Sequence, residues 1–149
     1  MGRSASKGEE MTTHPDFTGL WQVDFKRCKL EIEAPASSEF SIQHDDPMLS
    51  LTRTHKAEGY EDKFSLQLST DGKETITHKG EMEIRSTCVW QGASLSFRSR
   101  IQSPGIEAEN IVMYSMSEDR QTIVADETFK GPPRNYHNKW VLVRQPGSG

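Results

Sequence analysis

The apolar residues of this chain alternate rather than cluster. Trp21, Val23 and Phe25 stand two apart, as do Phe40 and Ile42, Leu49 and Leu51, and Phe64, Leu66 and Leu68. Period two is the mark of a pleated strand with one face in a core and the other in water. Read this way, the chain predicts ten strands, over residues 18–25, 39–44, 48–56, 62–69, 74–78, 81–90, 94–102, 107–117, 122–129 and 136–144. Turn-forming residues separate them: Asp45-Asp46-Pro47, Glu58-Gly59, Asp71-Gly72, Lys79-Gly80, Gln91-Gly92, Pro104-Gly105 and Glu118-Asp119. Asp71-Gly72 is the strongest hairpin signal, because both residues tolerate the positive φ of a type I′ turn.

Links this short make strands adjacent in sequence adjacent in space, which gives an up-and-down meander. A meander of that many twisted strands tends to close on itself and remove its edges. The expected fold is therefore all-β: a closed antiparallel up-and-down β-barrel of about ten strands with little helix. A two-sheet sandwich needs long crossovers, and only residues 26–38, broken by Pro35, are long enough to be one. That segment is expected to form a loop or short helix across one barrel mouth. The 149 residues suit a single domain, placed at 16–145 between a polar leader (1–15) and a short tail (146–149).

Composition narrows the functional classes. Only 33% of residues are apolar and the mean hydropathy is -0.73, which fits a one-layer wall wetted on its outer face. No apolar run approaches the roughly 20 residues of a membrane helix, and nothing resembles a secretory signal. The chain as written reads as cytoplasmic, with secretion open if a leader once preceded it. Its 18 basic and 22 acidic residues are interspersed, net -4, so no basic stripe exists to neutralise a phosphate backbone and nucleic acid is not an expected partner. Cys28 and Cys88 lack the spacing of a zinc site, no metal is expected, and the pair reads as two thiols or one disulfide. Met1-Gly2 with Ser6 matches the short N-myristoylation pattern, but the leader is read as disordered rather than as an anchor.

Alternation also sorts side chains into an inner and an outer face. The inner set runs through Trp21, Val23, Phe25, Phe40, Ile42, Leu49, Leu51, Phe64, Leu66 and Leu68 to Met82, Ile84 and Cys88. It continues with Leu95, Phe97, Ile101, Val112, Tyr114, Met116, Ile123, Ala125, Phe129, Trp140 and Leu142. His44, Arg53, His55, Asn110 and Glu127 share that parity, and Tyr114 brings a hydroxyl to it. Unpaired, such groups cost several kcal/mol each, so they must meet one another, trapped water or a ligand.

The candidate ligand site is thus Arg53, His55, Tyr114, Glu127, His44 and Asn110, with Phe40, Phe64 and Phe97 as apolar wall. The partner it implies is a small hydrophobic molecule, with Arg53 or His55 anchoring one polar or anionic group. An enzyme could use the same cavity, with His55 or Glu127 as general base and Tyr114 or Arg53 stabilising developing charge. No nucleophile elbow, paired-carboxylate motif or metal cluster supports it. A haem protein would need an axial ligand from His44, His55, His78 or His137; no cofactor is expected. Two plainer readings stand beside these. The inward polar groups could form a structural ion pair such as Arg53 with Glu127, or six Phe, three Trp and three Tyr could fill the lumen.

Two stretches carry a family resemblance. Phe17-Thr18-Gly19-Leu20-Trp21 resembles the Gly-x-Trp opening of the calycin group, the lipocalin-like and fatty-acid-binding-like barrels, and Trp140-Val141-Leu142-Val143-Arg144 resembles their last strand. The resemblance implies that Trp21 plugs one end of the barrel and that Arg144 packs across it as a cation–π pair. The layout over about residues 16 to 145 is also similar to bacterial lipocalin-like domains, which share a Trp-x-Gly turn (Trp90-Gln91-Gly92) and a Ser-x-Asp turn (Ser117-Glu118-Asp119). Two features depart from fatty-acid-binding proteins. Residues 26–38 are too few for their pair of helices. Arg134-Asn135-Tyr136 imitates their carboxylate-holding Arg-x-Tyr but precedes the last strand, so that role is not carried over.

Overall fold

A computed structural model describes residues 14–146, and in it the alternating segments become ten strands. These are β1 (Gly19–Val23), β2 (Ser37–Asp45), β3 (Met48–Ala57), β4 (Tyr60–Ser69), β5 (Thr75–Lys79), β6 (Met82–Gln91), β7 (Ser94–Ser103), β8 (Ile106–Met116), β9 (Thr122–Lys130) and β10 (Tyr136–Arg144). They form one antiparallel up-and-down sheet in the order β4-β3-β2-β1-β10-β9-β8-β7-β6-β5, nearly closed into a barrel. No helix among the described residues is long and apolar enough to cross a membrane. Residues 1–13 of the leader, with the Met1-Gly2 pattern, and Gly147-Ser148-Gly149 lie outside the described residues, while His14 stacks on Trp90.

Pairing of β1 with β10 brings the two ends of the sheet's sequence together, Trp21 opposite Arg144 and Val23 opposite Leu142. The one pair of sequence neighbours without a hydrogen-bonded ladder is β4 and β5. Asp71-Gly72, the expected type I′ hairpin, lies between them and does not form one. Gly72 has φ +88, but Asp71 does not share the positive φ that such a turn demands of both residues. Instead the Asp71 carboxylate accepts from Ser69 Oγ at 2.7 Å and Lys73 N at 3.0 Å, and Gly72 N donates to Cys88 O on β6 at 3.0 Å. The side chain caps its own turn and steers the chain past the neighbouring strand position.

Residues 26–38 hold the short helical turn and loop expected of them, and also cover a strand edge. A single 3-10 turn, Phe25–Arg27, is capped by Asp24, and the chain then runs extended beside β10, where Lys29 exchanges two 2.8 Å backbone hydrogen bonds with Lys139. The reason is an accounting one. β1 is only five residues long and covers Leu142 to Arg144, so the rest of that β10 edge would expose unpaired backbone groups. Phe25, Cys28, Leu30 and Ile32 pack against the core from this segment. Cys28 and Cys88 are separate thiols, and burial pushes the Cys88 thiol up to about 12.

The core follows the alternation closely. Trp21, Phe40, Ile42, Leu49, Leu51, Leu66, Leu68, Cys88, Leu95, Phe97, Tyr114, Ile123, Ala125, Trp140 and Leu142 form one buried cluster, joined by Phe17 from ahead of β1. One end of the barrel is sealed. Trp21 is wholly buried, its Nε1 donates to Phe17 O at 3.0 Å, and the Arg144 guanidinium lies 4.3 Å from the ring centroid. Arg144 also donates to Thr18 O and Arg120 O, each at 2.9 Å. Gly19 makes this possible: a Cβ there would come within 2.6 Å of Arg144 Nη1, at a φ of +150 that other residues rarely adopt.

Candidate functional site

The other half of the barrel is not filled. A cavity of about 330 Å³ lies there, walled mainly by apolar side chains of β2, β3, β4, β6, β7 and β8. Of the nine residues the sequence singles out, eight line it: Arg53, His55, Tyr114, Glu127, Asn110, Phe40, Phe64 and Phe97. Strand register explains how they meet. Phe40, Arg53 and Phe64 lie abreast on β2, β3 and β4, and Tyr114 and Phe97 come from β8 and β7 with ring centroids 4.5 Å apart.

His44 is the exception. It obeys the same parity but sits at the sealed end, where Nδ1 accepts from Phe17 N at 3.1 Å, leaving Nε2 to donate to Asp46 Oδ1 at 2.9 Å. Parity sets the face and not the height along the barrel, so it could not separate the two ends. Of the four histidines considered as haem ligands, only His55 lines the cavity.

Glu127 is the best-held polar group of the cavity. Its Oε1 accepts from Trp140 Nε1 at 2.8 Å and Asn138 Nδ2 at 3.0 Å, and its Oε2 from Asn110 Nδ2 at 2.9 Å. Three neutral donors compensate one half-buried carboxylate. The suggested pairing of Arg53 with Glu127 does not form. Arg53 Nη2 meets Asp62 Oδ2 at 3.2 Å, with the guanidinium 5.6 Å from the Phe64 centroid. Asp62 in turn meets Lys79 Nζ at 2.7 Å, joining β4 to β5 where no backbone ladder does. The hydrogen bond from Lys79 is the largest influence holding the Asp62 carboxyl below its ordinary range, and Arg53 adds to it.

His55 stacks on Trp140 at 5.9 Å between centroids, and its Nδ1 contacts Ser38 Oγ. Burial, with the Arg53 charge beside it, pushes its pKa down to about 4, so the ring is neutral at pH 7. Burial, together with the Glu127 charge, raises the Tyr114 phenol, which stays protonated. Two side-chain atoms on the cavity residues are buried without a partner: Arg53 Nε, a donor, and Asn110 Oδ1, an acceptor.

Asn138, Asp62 and Lys79 escaped the sequence reading, although alternation carried a signal for two of them. Asn138 shares parity with Trp140 and Leu142, and Asp62 with Phe64 and Leu66. Neither Arg134 nor Tyr136 lines the cavity. Arg134 donates to Glu31 O and lies 5.9 Å from the Tyr136 ring, which stacks on Phe129.

No family model matches this sequence, and no curated protein matches it. Solved structures do match its shape. A secretory abundant heat soluble protein of Ramazzottius varieornatus superposes with a TM-score of 0.56 at 12% identity, covering 91% of this chain and 100% of that one. Secretory abundant heat soluble protein 4 of the same organism gives 0.55 at 13%, covering 92% and 100%. Zebrafish ileal bile acid-binding protein, solved in complex with cholic acid, gives 0.56 at 14%, covering 87% and 98%. The fold is the calycin-like β-barrel.

Proposed function

We propose that this chain binds a small, largely apolar molecule in the open half of its barrel, with Arg53, His55, Tyr114, Asn110 and Glu127 positioning its polar part. The observation that carries this reading is the cavity itself. About 330 Å³ of space stands beside two buried polar atoms that the protein leaves without partners. Ligand sites are typically built this way, as an apolar hollow with a few converging polar groups. The bile acid-binding protein of like fold lends the reading support, since it was solved with cholic acid.

The same groups are poorly disposed for proton transfer. His55 is a weak base, with a pKa near 4, and three donors hold the Glu127 carboxylate. A general base works best with a pKa near the operating pH. Binding therefore accounts for the arrangement better than catalysis does.

Fluorescence of the neutral dye N-phenyl-1-naphthylamine tests the reading. The wild-type protein is expected to enhance and blue-shift the dye at micromolar concentration. Ala125 is buried and lines the cavity, so Ala125→Trp should fill the space and weaken dye binding at least tenfold while the far-ultraviolet β spectrum persists. Equal dye binding by the two folded proteins would overturn the proposal.

A further inference from the structure

We infer that the polar part of the molecule this lumen receives is uncharged, a hydroxyl or amide rather than a carboxylate. The inference rests on the binding reading above and goes on to name the class of ligand. Its first support is the charge already present. Arg53 and Lys79 are opposed by Asp62 and Glu127, two positive against two negative, all four on the cavity wall. Arg53 is engaged by Asp62 at 3.2 Å, and Asp62 is shared with Lys79 at 2.7 Å. An incoming carboxylate could reach Arg53 Nε, but Asp62 on Nη2 already offsets that guanidinium's charge. It would also add a third carboxylate to a wall that already holds Asp62 and Glu127, where like charges repel more strongly than in water.

The second support comes from the two partnerless atoms. Asn110 Oδ1 is a buried acceptor whose identity is fixed, because the amide's other end, Nδ2, donates to Glu127 Oε2 at 2.9 Å. Only a donor can satisfy it. An ionised carboxylate carries no donor, whereas a hydroxyl or an amide N–H does. Arg53 Nε asks for an acceptor, which a hydroxyl or carbonyl oxygen provides. Arg53 stands on β3 and Asn110 on β8, strands separated in the sheet by β2, β1, β10 and β9. The two atoms therefore suit an amphiphile with polar points on both sides of the lumen, or one head that exchanges between them.

A matched series of ten-carbon probes tests this at pH 7.5: decanoate, 1-decanol and decanamide, each read by displacement of the neutral naphthylamine dye. The wild-type protein is expected to bind decanol and decanamide at least tenfold more tightly than decanoate. Glu127→Gln removes the resident anion and turns an amide N–H₂ toward a flipped Asn110 Oδ1, so it should narrow that ratio from both sides, strengthening decanoate and weakening decanol and decanamide. Asn110→Leu removes the acceptor and should weaken decanol and decanamide about fivefold with decanoate unmoved. Decanoate binding as tightly as decanol to the wild-type protein would overturn the inference and leave the cavity reading intact. A wild-type protein that binds neither dye nor any of the three probes would overturn both.

Discussion

The two halves of this barrel are built from the same alternating strands and end in opposite states. At the sealed end Trp21, Leu95 and Ile123 are wholly buried, and each notable polar group is partnered. Asp46 Oδ1 accepts from His44 Nε2 at 2.9 Å, Thr70 Oγ1 at 2.8 Å and Trp90 Nε1 at 3.2 Å. In the open half the apolar rings line a hollow, and a guanidinium nitrogen and an amide oxygen have no partner. A protein interior normally leaves neither space nor unmet polar atoms. The contrast teaches that the sealed end carries the stability of this fold, while the open half tolerates defects that only an occupant would repair.

The sharpest way to break that division is truncation of one aromatic in each half. Trp21→Ala would remove the plug, its hydrogen bond to Phe17 and its stack with Arg144, and should lower unfolding free energy by about 3–5 kcal/mol. Phe64→Ala trims a cavity wall where part of the ring already faces open space, so about 1–2 kcal/mol is expected. Urea denaturation of both variants gives the comparison directly. Equal losses would mean that the hollow half contributes as much to the core as the sealed one.

A middle-sized effect comes from His55, whose depressed pKa links the open half to pH. In the unfolded chain this ring takes a proton as pH falls below its ordinary value of 6.5, while in the folded barrel it resists until about 4. The unfolded state therefore binds more protons across that window, and stability falls as pH drops from about 6.5 to 4. The full linkage would be about 3 kcal/mol, and partial solvent screening of the ring brings the expected loss to about 1.5 kcal/mol. Thermal unfolding at pH 7.5 and pH 4.5 should show it, and His55→Gln should flatten the slope. Below about pH 4 the depressed carboxyls of Asp46 and Asp62 add a further loss that His55→Gln leaves untouched.

Alternation made most of this architecture legible in advance, and the exceptions have specific causes. Strand number, order and nearly the whole inner face follow from a period of two, because one buried face constrains every second residue. The Gly19-x-Trp21 and Arg144 resemblance located the plug for a steric reason that can be stated: no Cβ fits beneath that guanidinium. What stayed hidden depends on distances beyond the strand. The Asp71-Gly72 pair reads as a hairpin locally, yet its backbone donor is claimed by Cys88 on β6. Arg53 found Asp62, one strand away, rather than Glu127, since β3 and β4 are paired and β3 and β9 are not. His44 carried the right parity to the wrong end. Whether those inward groups face a hollow or a packed core depends on side-chain volumes summed around the barrel, which no single strand reveals.

The smallest expected effect concerns the seam between the two edge strands. β4 and β5 share no ladder, so near Asp62 the wall is held by side chains, chiefly the Lys79–Asp62 contact at 2.7 Å. Lys79 also lies 5.2 Å from the Phe64 ring, over the cavity wall. Exposed ion pairs of this kind add less than about 1 kcal/mol, so Lys79→Ala should leave the melting temperature within a few degrees of wild type. Its consequence should be kinetic. If the seam is the route into the lumen, freeing it will raise the dye association rate several-fold in stopped-flow fluorescence, with dissociation rising in step and affinity little changed. An unchanged association rate would move the route elsewhere and would make the seam part of the stable wall rather than of the working half.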